Sequence, residues 1–372
     1  MRVLVTTDTL SGVWTYTQEL VAGLANRGVE VTLVSFGDIP LPDRTTWMDG
    51  LPGLDYHPTA FRLDWMQEGE QDLGDSTAYL TALVREVRPE LLHLNQLCYG
   101  SLPVDVPRLV VAHGDFISWW LSVHGQEPKE NRWLRWYRDT TTAGLLGADF
   151  VVAPSVWMLD TLRRCYVRPR RDAVIYNGRN PAHFNPYVIK EESVLAIGRL
   201  WDAARQVNLL TQHSHPVPLC IVGQDAPTVE PRIPIRTDVK VEVDDLRIAV
   251  RGPQTDAQLR TLYSRATIYA ATARYEPFSM AALEAALSRC AIVANDIPSL
   301  REIWGEAAVY FRANDSASLA CAIQRLHDQP ELCRLHALRA YQRARECFTS
   351  RRMVEEYLRL YHSLAKSRLA AA

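Results

Sequence analysis

The chain has 372 residues, too many for one ordinary hydrophobic core and suited to two domains of common size. Its formal net charge is −2 with acidic and basic residues interspersed, which argues against nucleic acid as a partner and against a strongly basic membrane-binding face. Seven cysteines without a C-x-x-C spacing, a strand directly after Met1 in place of a leader, and no run near twenty apolar residues predict a reduced, cytoplasmic protein that does not span a membrane. Peripheral attachment to the inner face of the membrane stays open.

Residues 3–7 read as a strand, and residues 15–27 as a helix with Leu20, Val21 and Leu24 at helical spacing, stopped by Gly28. Apolar runs at 29–35, 91–94, 108–112, 150–153 and 173–176 follow, separated by helical segments. This alternation predicts a parallel sheet covered on both faces. A second series runs through 193–197, 219–222, 247–250, 266–273 and 290–295, so the fold class is α/β with two Rossmann-like domains. The turn formers at 180–186 mark the linker. The expected domains are 1–182 and 183–354, with a C-terminal helix, 355–372, crossing back to complete the first. Residues 225–239 carry three prolines and no periodicity and are expected to form a surface loop. From Ser316 onward the chain reads as helical.

The segment Arg274-Tyr275-Glu276-Pro277-Phe278-Ser279-Met280-Ala281-Ala282-Leu283-Glu284 lies where an apolar strand meets an apolar helix. Pro277 is expected at the first helical position, and residues 279–287 are apolar nearly all round, so the helix is buried. A carboxylate two turns into such a helix loses several kcal/mol of solvation unless donors reach it. Two sources of donors fit Glu284: an arginine elsewhere in the fold, or the vicinal diol of a ribose. The backbone N–H groups of Ser279, Met280 and Ala281 offer a positive end to a phosphate. Ribose and phosphate together make a nucleotide. The strand that follows, 290–295, completes a strand, helix, strand unit with its polar residues at the strand ends, where open parallel sheets bind ligands.

Residues 269–311 resemble the signature of glycosyltransferase family 4, the retaining GT-B enzymes. The resemblance extends to the opening strand-loop-helix, His113-Gly114, Asn177-Gly178, Gly198-Arg199-Leu200, and Asp296-Ile297-Pro298-Ser299 with Glu302. It implies a GT-B fold with the acceptor in the N-terminal domain and a nucleoside diphosphate sugar in the C-terminal one. Glu276 would face the donor sugar and Glu284 the ribose. Arg199 after Gly198, and Arg205 where relatives carry a lysine, would hold the diphosphate. Two guanidinium groups suit that task, although an arginine after a strand is also a common surface ion pair.

Gly12 matches the phosphate- or sugar-approaching loop, with Ser11 where relatives have a first glycine. His113 matches the donor-proximal histidine, and Asp115 beside it is a candidate for an acceptor hydroxyl. Arg251 and Gly252 are candidates for contact with the base. Asn177-Gly178 reads as architecture at the crossover. Trp119, Trp120 and the aromatic, cationic run 129–138 fit acceptor or membrane contact, or one buried helix face. Two further departures stand at Ser279 and Arg289, where relatives often have glycine.

With neither Asp-x-Asp nor a cluster of metal-ligand spacing, no metal and no cofactor is expected, and arginines and helix ends would neutralise the diphosphate. The expected activity is retaining transfer of a sugar from a UDP- or GDP-linked donor to a carbohydrate or lipid-linked acceptor. A nucleotide-sugar epimerase or sugar phosphorylase using the same cleft, and a non-catalytic binding module, remain as rivals.

Overall fold

A computed structural model describes residues 1–66, 68–224 and 247–369; the loop expected at 225–239 lies outside them. The first half of the chain runs β1 (Arg2–Asp8), α1 (Gly12–Ala25), β2 (Glu30–Phe36), β3 (Leu54–Pro58), α2 (Gly69–Val87), β4 (Leu91–Leu94), β5 (Arg108–Val111), α3 (Phe116–His124), α4 (Arg132–Gly147), β6 (Phe150–Ala153), α5 (Val156–Cys165) and β7 (Asp172–Val174). Its strands form one parallel sheet in the order β3-β2-β1-β4-β5-β6-β7.

The second half runs β8 (Glu191–Ile197), β9 (Leu219–Val222), β10 (Ile248–Arg251), α6 (Asp256–Arg265), β11 (Ala266–Ala271), α7 (Met280–Leu287), β12 (Ala291–Asn295), α8 (Pro298–Trp304), β13 (Val309–Phe311), α9 (Ser316–Asp328), α10 (Pro330–Cys347) and α11 (Ser350–Leu369). Its sheet, also parallel, has the order β10-β9-β8-β11-β12-β13. In both sheets the first strand of the half lies centrally and the order reverses beside it, which opens a crevice at the carboxyl ends of the strands.

Buried apolar side chains cover both faces of each sheet. The fully buried runs β4 and β12 stand where continuous apolar sequence puts them, whereas β3, absent from the sequence expectation, is a half-exposed edge strand without an apolar run. Helix α1 begins three residues earlier than expected. Ser11 caps it, its Oγ accepting the Val13 N–H at 3.1 Å, and the Asp8 carboxylate holds the preceding loop through the N–H groups of Leu10 (3.0 Å) and Ser11 (2.8 Å).

The chain crosses between the halves twice, and the two crossings lie side by side. Arg179 N–H donates to Phe348 O at 3.1 Å and Ser350 N–H donates to Arg179 O at 3.0 Å. A Cβ at Gly178 would collide with the Thr349 carbonyl, so the crossing needs glycine there. After it, α11 returns to the N-terminal half, beginning at Ser350, and buries Met353, Val354, Tyr357 and Tyr361 against α1 and β1. His93 of β4 ties this layer together, bonded to the hydroxyls of Tyr16 (3.2 Å) and Tyr361 (2.6 Å). All seven cysteines are free thiols. Among the described residues no helix is long and apolar enough to cross a membrane.

Candidate active site

The C-terminal wall of the crevice is built from the ends of β8, β9 and β11 and the start of α7. Gly198 follows β8 and Gly223 follows β9. A Cβ on Gly223 would collide with the Gly198 carbonyl oxygen, so the two strand ends close up only because Gly223 lacks a side chain. Arg199 and Arg205 leave this corner together. The Asp202 carboxylate, almost wholly buried, lies 3.0 Å from Arg199 Nη2 and 3.8 Å from Arg205 Nε, and the Arg199 guanidinium also covers the Trp201 ring. Arg205 reaches on to Glu276 Oε2, and the neighbouring carboxylate pushes its pKa further up. Both guanidinium groups stay more than a quarter exposed.

Glu276 Oε1 accepts the Ser279 N–H at 3.0 Å, which corrects part of the expectation for the helix start. The helix begins at Met280, not at Pro277. Ser279 takes a left-handed conformation, φ +73°, that breaks the helix before it, and its Oγ caps the Ala282 N–H at 3.3 Å. The Ser279 N–H is spent on Glu276. No partner among the described residues is found for the Met280 and Ala281 N–H groups, which are the remaining donors of that helix end.

Glu284, facing the same corner from α7, is held at 2.9 Å by Arg179 Nε. Burial raises its pKa, and the Arg179 guanidinium and the Tyr263 hydroxyl oppose that rise. Of the two sequence readings of Glu284, the arginine partner is therefore present. Arg251 and Gly252 close β10 at the exposed edge of the sheet, and no described residue lies within 4 Å of a Cβ added at Gly252.

The N-terminal wall comes from the ends of β1, β4 and β5. Gly12 opens α1 opposite α7, with a Cβ position 3.9 Å from Met280 Cγ. His113 is held by Asn95 Oδ1 at 2.8 Å and by the edge of the Tyr16 ring at 4.4 Å between centroids. Burial pushes its pKa down to about 3, so the imidazole is neutral at pH 7. Asp115 has a different task from the one expected. It is the N-cap of α3, accepting the Ser118 N–H (2.9 Å), the Ser118 hydroxyl and the Tyr166 hydroxyl (2.7 Å), which leaves little of it for an acceptor.

The tryptophans also turn inward. Trp119, Trp133 and Tyr137 are buried in one cluster with Phe116, and Trp120 is half-buried, its ring tilted against His124 with centroids 4.0 Å apart. The helical spacing of Trp133 and Tyr137 thus builds a core face, and with Trp119 these rings are not displayed to an acceptor or a membrane, while Trp120 and Trp136 are only partly buried.

Several contacts join the walls. The Trp119 indole donates to Asp202 Oδ1 at 3.2 Å. Tyr275 enters the N-terminal half, where its hydroxyl accepts the Asp115 N–H at 3.1 Å and meets Ser118 Oγ at 2.8 Å. Glu302 of α8 accepts the Val156 and Trp157 N–H groups, at 2.7 and 2.8 Å, and so caps α5 from across the crevice. Sequence reading named Glu302 and Tyr275 only within a motif and missed Asp202, Asn95, Gly223 and Arg179. A polar residue directly after a buried strand was the available signal for Asn95, and a glycine there for Gly223; Arg179 and Asp202 have none.

Residues 10–183 match the family model described as Glycosyltransferase Family 4, and residues 191–329 match Glycosyl transferases group 1. An alpha-maltose-1-phosphate synthase of Mycolicibacterium smegmatis is 25% identical over 308 residues, which are 73% of this chain and 76% of that protein. Among solved structures, the sucrose-phosphate synthase of Thermosynechococcus elongatus covers 100% of both chains with a TM-score of 0.77 at 18% identity. Anabaena HepE in complex with UDP-glucose covers 98% of this chain and 100% of its own, with a TM-score of 0.74 at 15% identity. The site geometry, both family models and these likenesses converge: the chain is a glycosyltransferase of family 4 with the GT-B fold.

Proposed function

We propose that the enzyme moves a sugar, with retention of configuration and without a metal ion, from a uridine diphosphate sugar to an acceptor hydroxyl on a carbohydrate or a lipid-linked carbohydrate. The observation that carries this reading is the convergence of Arg199, Arg205, Glu276 and Glu284 at the strand ends of one domain, facing a neutral His113 on the other. The structural likeness to HepE, a protein seen with UDP-glucose, supports uridine as the base.

In this scheme Arg199 and Arg205 take the diphosphate and neutralise the charge that gathers on it as the sugar leaves, the term that commonly dominates catalysis of group transfer. Asp202 holds both guanidinium groups ready, at low reorganisation cost. Glu276, oriented by Arg205 and the Ser279 N–H, takes hydroxyls of the donor sugar. The Met280 and Ala281 N–H groups add donors for phosphate oxygen. His113, neutral and with its Nε2–H donated to Asn95 Oδ1, keeps Nδ1 to accept one hydrogen bond from a hydroxyl of the transferred sugar without adding charge. Closure of the crevice excludes water, and the acceptor hydroxyl attacks on the face from which the diphosphate departs, passing its proton to the leaving phosphate.

Thermal stabilisation by UDP, GDP, ADP and dTDP, with magnesium and with chelator, tests the donor site. At about a hundredfold its dissociation constant a ligand adds roughly 2.7 kcal/mol. UDP is expected to stabilise the wild type equally with and without magnesium, and Arg199→Ala and Glu284→Ala to lose most of the effect. Stabilisation by none of the four, or an unchanged response in both variants, would refute the site; a requirement for magnesium would refute metal independence. A product of inverted anomeric configuration would refute retention.

A further inference from the structure

We propose that Arg179 is a positioning residue that makes the donor site select ribose over deoxyribose, by fixing Glu284 from the crossing between the domains. The proposal rests on the donor-site reading above. Arg179 is 4% exposed, and its backbone is pinned on both sides by the second crossing, through Phe348 O and Ser350 N–H. Its guanidinium lies between two carboxylates of different domains, 2.9 Å from Glu19 Oε1 of α1 and 2.9 Å from Glu284 Oε1 of α7, and it packs over the Phe184 ring with 5.4 Å to the centroid. Anchored at the backbone, at Nη1 and Nε of the guanidinium and across its face, this side chain is held in place. It sets where the Glu284 oxygens stand.

The charges in this buried group do not balance. One guanidinium serves two carboxylates; His183 lies 3.5 Å from Glu19, but its side chain is 40% exposed. A carboxylate accepts at about four lone-pair positions. Glu284 is paired with Arg179 by charge, at 2.9 Å and outside hydrogen-bonding geometry, and is approached by the Tyr263 hydroxyl, so it retains capacity for two further donors. A ribose diol brings two hydroxyl donors, a deoxyribose one. Without Arg179 the burial of Glu284 goes unopposed and favours its protonated form, in which one oxygen becomes a donor and the preference for a diol fades.

The test is calorimetric titration of UDP and 2′-deoxy-UDP into the wild type, Arg179→Met, Arg179→Lys and Glu19→Gln. The wild type is expected to favour UDP at least tenfold. Arg179→Met should reduce that ratio below threefold, Arg179→Lys should restore part of it as a point charge without the fork, and Glu19→Gln should leave it within twofold while lowering Tm. A merely structural Arg179 would lower Tm in its variants and leave the ratio as in the wild type, which would overturn the proposal. Should Arg179→Met not fold, Arg179→Lys decides: a ratio within twofold of wild type overturns the proposal, a clear fall supports it. A wild type that binds UDP and 2′-deoxy-UDP equally overturns Glu284 as the ribose contact and this inference with it. A wild type that binds neither overturns the donor-site reading itself.

Discussion

The two walls of the crevice spend their polar groups differently. On the C-terminal wall the charges of the candidate donor site are paired within the wall or at the crossing, Arg199 with Asp202, Arg205 with Glu276 and Glu284 with Arg179, and the two guanidinium groups keep a face to solvent. On the N-terminal wall the polar groups are committed to the fold of their own domain: Asp115 caps α3, His113 is held by Asn95, and His93 is sealed between tyrosines. The first wall is a prepared anion and diol site whose internal partners a ligand can supplement. The second is a rigid, nearly neutral surface. A charged donor that is always the same suits the former, and an acceptor recognised by shape and by surrounding loops suits the latter.

The largest effect expected from separating the walls comes from Tyr275→Phe. The hydroxyl is the acceptor for the Asp115 N–H and contacts Ser118, both buried in the closed crevice, whereas no donor-site residue depends on it. Removing it leaves a buried N–H without its partner, at a cost of about 1–3 kcal/mol that falls on the closed form alone. Turnover is expected to drop about tenfold or more, since every 1.4 kcal/mol is worth a factor of ten, while the affinity for UDP changes less than about twofold. Parallel titration and steady-state kinetics check this. A loss of UDP affinity equal to the loss of turnover would mean that the walls do not act separately.

A smaller effect should expose the neutrality of the N-terminal wall. Burial, with the nearby His113 adding to it, pushes the His93 pKa down to about 3. In the unfolded chain the value is about 6.5, so between those pH values the unfolded state binds more protons and stability falls as pH falls. The contribution is complete above about pH 6.5 and, at 1.36 kcal/mol for each pH unit below it, about 2 kcal/mol is lost by pH 5. His93→Gln, which keeps an acceptor for the tyrosine hydroxyls, should remove that part of the slope. Urea unfolding at pH 7.5, 6 and 5 measures it, and equal slopes for wild type and variant would show that His93 is not held neutral.

How much of this was legible beforehand divides along the same line. Strand-helix alternation gave both parallel sheets, because buried parallel strands such as β4, β6 and β9 are continuous apolar runs that periodicity detects. The short edge strand β3 escaped because its face is half solvated. In the site, Glu276 and Glu284 stood out because charge where an apolar strand meets an apolar helix needs a reason, whereas Arg199 and Arg205 were singled out by the resemblance to the family. Asp202 and Arg179 stayed hidden because their meaning lies in partners: Asp202 meets Trp119 from another domain, and Arg179 meets Glu19, 160 positions earlier. The tryptophans misled in the opposite direction. Their number suggested a displayed surface, and only packing of Phe116, Trp133 and Tyr137 against one another shows that Trp119 and Trp133 face inward.

The smallest expected effect separates strain that serves the C-terminal site from strain that only ends a helix. Ser279 and Arg289, both where relatives often have glycine, adopt φ of +73° and +59°. Arg289 lies after the C-terminus of α7, where its N–H donates to Ala286 O and the Cys290 N–H to Ala285 O, the paired bonds of a Schellman motif. The left-handed conformation costs a non-glycine residue about 1–2 kcal/mol. At Arg289 the side chain offsets part of that by covering the rings of Tyr187 and Tyr341. Arg289→Ala gives up the rings and keeps the strain, while Arg289→Gly gives up the rings and releases it, so by chemical denaturation the glycine variant should be the more stable of the two by about 1 kcal/mol. Neither should alter UDP affinity, since Arg289 is remote from the phosphate corner. Ser279→Gly releases the same strain but loses the cap on Ala282, so its stability should stay within about 1 kcal/mol of wild type while its donor affinity moves. Equal donor affinity in Ser279→Gly and wild type would place the strain at Ser279 with that at Arg289, as helix punctuation and not as part of the site.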